Sequence, residues 1–132
     1  MATSTPVLGY VTLGTNNLER ACAFYDELMS TIDFNRIWDD GKLIIWGKSM
    51  EEAAVGVTPP FDEGSATVGN GVMVAMQMDN DQQVQAFYDK AIALGATDEG
   101  APGQRISNFY AGYFRDPDGN KLNAFCFNDV TV

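Results

Sequence analysis

The sequence predicts an α+β fold made of two βαβββ modules, and three observations support this prediction. The tetrapeptide AFYD at residues 23–26 recurs at residues 86–89, and the same spacing separates Tyr10 from Met73. Both copies run from a strand signal into a helix signal without a gap. Three further strand signals follow each helix. A repeat of this kind indicates two copies of one structural unit.

The first module is predicted over residues 7–60. Residues 7–13 are rich in β-branched and aromatic side chains, which favour a strand. Asn16 and Asn17 are good N-cap residues, and apolar positions at helical spacing then indicate a helix over 18–29. Three more strands are expected at 34–38, 42–47 and 53–58. Residues 39–41 read Asp-Asp-Gly and predict a hairpin turn between the first two of these strands.

The second module is predicted over residues 70–128, and the glycine-rich residues 61–69 link the two modules within a single domain. Its strand is expected at 72–78, and its helix is capped within 79–81 and ends at Gly95. Residues 96–107 indicate a weak strand or a loop. Strands follow at 109–115 and 121–127. Residues 116–119 between them read Asp-Pro-Asp-Gly, which is typical of a type I turn.

The expected tertiary arrangement follows from this module. A four-stranded sheet with a helix on one face leaves its other face uncovered, so two modules can meet and enclose a cleft. We therefore expect a ligand to bind in the cleft between the modules.

Composition excludes several classes of function. The chain has 45% hydrophobic residues and a net charge of −10, which disfavours binding to nucleic acid and to anionic membranes. No apolar run reaches the length of a membrane helix. Residues 1–6 carry no basic or apolar region typical of a secretory signal, so a cytoplasmic location is expected.

Few side chains of the usual catalytic types are present. The chain contains no histidine and two cysteines, Cys22 and Cys126, whose spacing fits reduced thiols rather than a metal site. Neither a Ser-His-Asp set nor a Cys-His pair can be formed. The acidic residues fall in turns and on helix surfaces. We therefore assign no catalytic residue, no metal ligand and no cofactor.

The motifs in both modules resemble the vicinal oxygen chelate superfamily, which includes glyoxalase I, extradiol dioxygenases, and the fosfomycin and bleomycin resistance proteins. The resemblance is carried by residues 10–14 (YVTLG), 17–20 (NLER), 69–71 (GNG) and 110–121 (YAGYFRDPDGNK). It covers nearly the whole chain and implies the glyoxalase/bleomycin resistance/dioxygenase-like fold. Function follows from it less directly, because one fold hosts many chemistries.

In the metal enzymes of this superfamily, four strand positions hold metal ligands, usually His or Glu. The resemblance places those positions at Tyr10, Gly56, Met73 and Asn123 here. None of these residues supplies an imidazole or a carboxylate, the ligands that a catalytic divalent ion prefers. The resemblance therefore implies a site without its usual metal.

The same positions suggest a pocket for an organic ligand. Strand alternation places Thr12 with Tyr10, and Phe125 with Asn123. The face taken by Trp46 is left open by the continuous apolar run of residues 44–46, and Arg105 could either bind a carboxylate or be a surface charge. The predicted ligand-binding residues are Tyr10, Thr12, Trp46, Gly56, Met73, Tyr110, Asn123 and Phe125.

Three functions are compatible with this sequence. The first is a metal-free binding protein similar to the bleomycin resistance branch, which holds an aromatic or cationic compound. The second is a glyoxalase-like lyase or dioxygenase-like enzyme with a non-standard site. The third is a structural or regulatory dimer whose cleft is filled by these same side chains. A homodimer is expected because exposed sheet edges tend to be covered.

Overall fold

The structure, a computed structural model, describes residues 5–132. The prediction that residues 1–6 do not form a secretory signal therefore concerns residues that lie partly outside the described ones. The elements in chain order are β1 (Tyr10–Gly14), α1 (Leu18–Ser30), β2 (Asn35–Asp39), β3 (Ile44–Gly47), β4 (Ala54–Thr58), β5 (Val74–Gln77), α2 (Asp81–Ala93), β6 (Thr97–Ile106), β7 (Phe109–Arg115) and β8 (Lys121–Phe127). The chain forms two compact units with a boundary between Thr67 and Val68. Neither helix in the described part is long and apolar enough to cross a membrane.

The first unit is a four-stranded sheet in the order β1-β4-β3-β2, covered on one face by α1. Strand β1 runs parallel to β4, and the other neighbours are antiparallel. The helix buries Phe24, Tyr25 and Leu28, and the Tyr25 ring lies 5.5 Å from that of Trp46 on β3. The core of this unit therefore lies between α1 and one face of the sheet.

The second unit repeats this arrangement. Its sheet has the order β5-β8-β7-β6, with β5 parallel to β8. Helix α2 packs on one face, where the Phe87 ring lies 6.0 Å from that of Phe114 on β7. The α+β fold of two βαβββ modules predicted from the sequence is thus confirmed. In each unit we call the face opposite its own helix the helix-free face.

The internal repeat extends to the pairing register of the strands. In the first unit Thr12 lies opposite Gly56, and in the second Ala75 lies opposite Asn123. Tyr10 and Met73 each lie two residues before the first member of these pairs. Gly56 and Asn123 therefore occupy equivalent places in the two sheets.

Local sequence signals explain where several elements begin and end. The side chains of Asn17 and Asn80 cap the helices by accepting from the backbone amides of Arg20 and Gln83, at 3.0 and 2.8 Å. Gly95, with a φ of 104°, follows the end of α2, as predicted. In the turn before β8, the Gly119 amide donates to the Asp116 carbonyl at 2.9 Å.

Most strand boundaries differ from those predicted by a few residues, and β1 and β6 are the clearest cases. Strand β1 begins at Tyr10 rather than at residue 7, because its partner β4 begins at Ala54 and offers nothing earlier to pair with. Residues 96–107, expected as a weak strand or loop, contain the ten-residue strand β6. Register shifts break the ladder of β6 with β7 at three places, and such bulges let a strand continue past Pro and Gly.

Candidate ligand site

The second unit carries the most unusual polar group on its helix-free face. On β8, Leu122, Ala124 and Cys126 are fully buried on the side of α2, and alternation directs the intervening residues to the other face. Asn123 is one of these, and only 2% of it is exposed. Its side-chain oxygen Oδ1 has no hydrogen-bond partner among the described residues. A buried acceptor left unpaired costs about 1–3 kcal/mol.

The neighbours of Asn123 across the sheet are set by the ladder. Ala75 lies beside it on β5, and Tyr113 lies opposite it on β7. Met73 precedes β5 on the same alternation and is 41% exposed. Ala75 has only a methyl group, so the β5 side of Asn123 offers no donor from the side chain next to it. The structure thus brings together the predicted residues Met73 and Asn123 on one face.

An aromatic cluster adjoins Asn123 along β8. Phe125 stacks on Phe109 with ring centroids 5.4 Å apart, and Phe127 lies 5.6 Å from Phe125. Phe125 follows Asn123 by two residues, so it lies on the same face, about 7 Å away along the strand. The predicted site residue Phe125 therefore offers a ring against which a planar ligand can stack.

Tyr110 does not join this group. It lies directly opposite Cys126, whose thiol donates to Asp81 at the start of α2 at 3.1 Å. Tyr110 is therefore on the helix side of the sheet, and the register of β7 with β8 is the reason. The residue that β7 contributes beside Asn123 is Tyr113, which the sequence interpretation missed. Counting the alternation along the 109–115 and 121–127 hairpin would have found it.

Two cations lie close to Tyr113. The Arg105 guanidinium carbon and the Lys121 amine nitrogen are each 5.5 Å from the centre of its ring. Arg105 also donates to the Ala101 carbonyl. Such distances are typical of cation–π contacts, which strengthen when the cation is partly desolvated. A positive cluster thus adjoins Asn123 in a chain whose net charge is −10.

In the first unit, the predicted residues Tyr10, Thr12 and Gly56 share the helix-free face. Tyr10 lies beside Ala54, and Thr12 beside Gly56. Tyr10 is 51% exposed. A side chain at Gly56 would meet the Ile44 carbonyl oxygen at 3.2 Å. This face therefore lacks a polar group at the position equivalent to Asn123.

Trp46 belongs to the other side of that sheet. It is 1% exposed, packs on Tyr25 of α1, and donates from Nε1 to Asp26 at 2.9 Å. The interpretation of Trp46 as a ligand-binding residue is therefore not supported by its position beneath the helix. The apolar run of residues 44–46 could not predict which face Trp46 takes, because both faces of β3 are buried.

The first unit also contains a concavity of about 1010 Å³ beyond the carboxyl ends of β1 and β4. Thr12 and Thr58 line its sheet side, and Lys42, Pro60 and Phe61 line its outer side. Asn16 holds the loop after β4 in place by exchanging two hydrogen bonds with Ala66, at 2.7 and 3.1 Å. Of the predicted site residues, Thr12 is the one that reaches this concavity.

Groups with shifted pKa values lie mainly away from the helix-free faces. Burial, together with a hydrogen bond to Asp81, raises the pKa of Cys126 to about 11. Burial and a hydrogen bond to Asp98 raise the pKa of Tyr88 to about 12. The Arg36 guanidinium holds the pKa of Asp26 below its usual value. All these residues belong to networks that fasten a helix to its sheet, a structural cause of pKa shifts.

The chemistry of the available donors does not fit the divalent metal that the superfamily's enzymes use. The four equivalent positions hold a phenol, a glycine, a thioether and an amide. In the described part of the chain, no group of three or more His, Cys, Asp or Glu side chains is placed to hold a metal ion. An amide oxygen is a weak ligand without carboxylate or imidazole neighbours. No reaction step through a metal can be derived for this site.

Comparison with known proteins agrees with the fold. A family model described as Glyoxalase/Bleomycin resistance protein/Dioxygenase superfamily matches residues 7–124. The crystal structure of a glyoxalase/bleomycin resistance protein from Albidiferax ferrireducens T118 is 31% identical, with a TM-score of 0.85 over 93% of this chain and 100% of that chain.

Two further solved structures share the fold at lower identity. A glyoxalase/bleomycin resistance protein/dioxygenase family enzyme from Burkholderia phytofirmans PsJN is 20% identical, with a TM-score of 0.74 over 91% of this chain and 98% of that one. A lactoylglutathione lyase from Agrobacterium tumefaciens is 18% identical, with a TM-score of 0.66 over 94% and 95%. No curated protein matches the chain in sequence.

Proposed function

The chain belongs to the Glyoxalase/Bleomycin resistance protein/Dioxygenase superfamily, and on that premise we propose that it is a metal-free binding protein for a small aromatic molecule. The observation that carries this proposal is the buried and unpaired Oδ1 of Asn123. A protein that keeps such a group loses stability unless something else satisfies it. A hydroxyl or N–H donor on a ligand would supply the missing hydrogen bond.

The surroundings of Asn123 support an aromatic ligand. Phe125 and its stacked partner Phe109 provide a flat apolar surface two residues along the strand, and Met73 adds an adaptable thioether. The sequence also predicted a cationic ligand as an option. Arg105 and Lys121 beside Tyr113 disfavour a cation at this face, because like charges repel in a partly desolvated site.

Binding without turnover is favoured over catalysis by the types of side chain present. Met73, Asn123 and Phe125 carry no titratable group, so none of them can transfer a proton. A general acid or base works best with a pKa near the operating pH. The lyase and oxygenase alternatives would each require a group that this face does not supply.

The proposal is tested by titrating the protein with 2-phenylethanol and with phenyltrimethylammonium, followed by NMR of the Asn123 side-chain amide. We expect 2-phenylethanol to shift that signal saturably and the cation to leave it unchanged. Asn123→Leu should abolish 2-phenylethanol binding, whereas Gln82→Leu on the exposed surface of α2 should not. Equal binding by the Asn123→Leu variant would overturn the proposal, as would a tightly held divalent ion in the purified protein.

A cytoplasmic homodimer remains part of this proposal. Exposed apolar side chains on the helix-free faces, among them Tyr10 and Phe127, support a second copy as partner. Sedimentation at micromolar concentration should give twice the monomer mass, and Phe127→Lys should shift it toward the monomer. A monomer mass for the wild-type protein would contradict the dimer and leave the ligand proposal standing.

A further inference from the structure

Resting on the proposed binding function, we propose that the ligand is an aryl hydroxy acid, whose carboxylate is bound by Lys121 with help from Arg105. The order of side chains along β8 carries this inference. Phe125, Asn123 and Lys121 follow one another at intervals of two residues on one face, about 7 Å apart at the backbone. The Lys121 amine lies over the ring of Tyr113, which is opposite Asn123, so the cation is directed toward the acceptor.

Neither cation beside Tyr113 forms a close ion pair within the described part of the chain, although the charge of Arg105 adds to the hydrogen bond from Tyr88 in lowering the pKa of Asp98. Lys121 and Arg105 each lie 5.5 Å from the centre of the Tyr113 ring, and neither forms an ion pair with a carboxylate among residues 5–132. By contrast, Arg36 pairs with Asp26 and Asp39, and Arg115 pairs with Glu99. Lys121 is thus available to an anion, and Arg105 lies beside the same ring.

The local backbone brings Arg105 to this position. Arg105 lies at a register shift of β6, between Gln104 opposite Tyr110 and Ile106 opposite Phe109. Its guanidinium then bends back to Tyr113 and donates to the Ala101 carbonyl. Gly100 lies opposite Tyr113 on β6, and a side chain there would approach both the Tyr113 ring and Arg105, at 3.3 and 3.4 Å. The glycine therefore leaves room for the guanidinium over the ring.

The chemistry of the three subsites defines the ligand class. The ring site favours an aryl group, Asn123 Oδ1 requires a donor, and the ammonium of Lys121 favours an anion, to which it forms a charge-assisted hydrogen bond. An aryl group, a hydroxyl and a carboxylate in that order describe 3-phenyllactate. The negative charge of the whole chain opposes a dianion more than a monoanion, which favours a carboxylate over a phosphate.

The test compares three compounds by calorimetry: 3-phenyllactate, its uncharged amide 3-phenyllactamide, and 3-phenylpropanoate, which lacks the hydroxyl. Lys121→Met keeps the length of the side chain and removes its charge, and Lys48→Met in the first unit is the matched control. We expect Lys121→Met to weaken 3-phenyllactate binding about tenfold and to leave 3-phenyllactamide within about twofold. Salt near 1 M, where the Debye length is about 3 Å, should weaken only the acid.

The outcomes separate this inference from the function on which it rests. If 3-phenyllactamide binds as tightly as 3-phenyllactate, or if Lys121→Met weakens both equally, the carboxylate site is wrong and the aromatic binding function stands. If the acid and the amide bind but 3-phenylpropanoate binds equally well, the role of Asn123 is wrong while the carboxylate site holds. If none of the three binds, both proposals are overturned.

Discussion

The two units differ at one pair of equivalent positions on the helix-free faces of their sheets. In the first unit Ile45 lies opposite Gly56, and in the second Tyr113 lies opposite Asn123. The helix sides are alike: Tyr25 contacts Trp46 in one unit, and Tyr88 contacts Phe114 in the other. The repeated fold thus keeps its core aromatic in both copies. Among residues 5–132, only the second copy has a buried side-chain polar atom without a hydrogen-bond partner, on its helix-free face.

The largest loss of stability is expected from a substitution in the core beneath the helix of the first unit. Trp46→Ala should lower the free energy of unfolding by about 3–5 kcal/mol, because a large buried side chain leaves a cavity. Trp38→Ala is the control, since Trp38 is 48% exposed. It should cost about 1 kcal/mol or less. Urea unfolding measures both, and a similar loss for the two variants would show that Trp46 does not anchor α1.

A smaller loss of stability is expected from a substitution at Gly56, where the first unit has no side chain. A Cβ atom at Gly56 would meet the Ile44 carbonyl oxygen and the side chains of Ile45 and Leu43, each at 3.2 Å. Gly56→Ala should therefore destabilise the protein by about 1–3 kcal/mol through overpacking. Gly9→Ala is the matched control, because a Cβ there meets no atom within 4 Å. A neutral Gly56→Ala variant would mean that this face can accept a side chain like its counterpart.

The helix networks of the two units should respond to opposite extremes of pH. The hydrogen bond from Arg36 lowers the pKa of Asp26 below its ordinary value of 3.8. The contribution of the Asp26 carboxylate to folding stability is therefore present above that value and is lost as the pH falls through the folded-state pKa. Burial raises the pKa of Cys126 from 9.0 to about 11. The contribution of the protonated thiol to folding stability is complete below pH 9.0 and is lost as the pH rises toward 11.

Unfolding free energies measured across pH, under reducing conditions, test this contrast. Cys126→Ser keeps a donor for Asp81 and removes the titration, so its stability should fall less than that of the wild type between pH 9.0 and 11. Asp26→Asn should reduce the loss of unfolding free energy at acid pH and leave its alkaline pH dependence unchanged. The prediction fails if Cys126→Ser follows the wild-type curve throughout the alkaline range.

The sequence predicted elements best where local chemistry decides them. Strands 109–115 and 121–127 have the predicted bounds, and the Asp116–Gly119 turn fixes where the first ends and the second begins. Helix α1 was predicted one residue short of Ser30. Strand β6 was harder to predict, since its bulges are stabilised only by pairing with β7. Local signals are weakest where a distant strand supplies the hydrogen bonds.

The candidate site could be predicted only in part. Alternation correctly grouped Asn123 with Phe125, and Tyr10 with Thr12. The face of Trp46 could not be deduced from an apolar run, because it depends on how α1 crosses the sheet. The missing partner of Asn123 is a property of the whole environment of that side chain and has no signature in the sequence.

The most direct test of the account is a thermal unfolding cycle with wild-type protein and Asn123→Leu, each with and without 3-phenyllactate. If Asn123 is kept for a ligand at a cost to the fold, the leucine variant should be about 1 kcal/mol more stable than the wild type without ligand, because it removes an unpaired acceptor. Saturating 3-phenyllactate should stabilise the wild type and leave the variant unchanged. A leucine variant that is less stable than the wild type, or that is stabilised equally by 3-phenyllactate, would contradict the account.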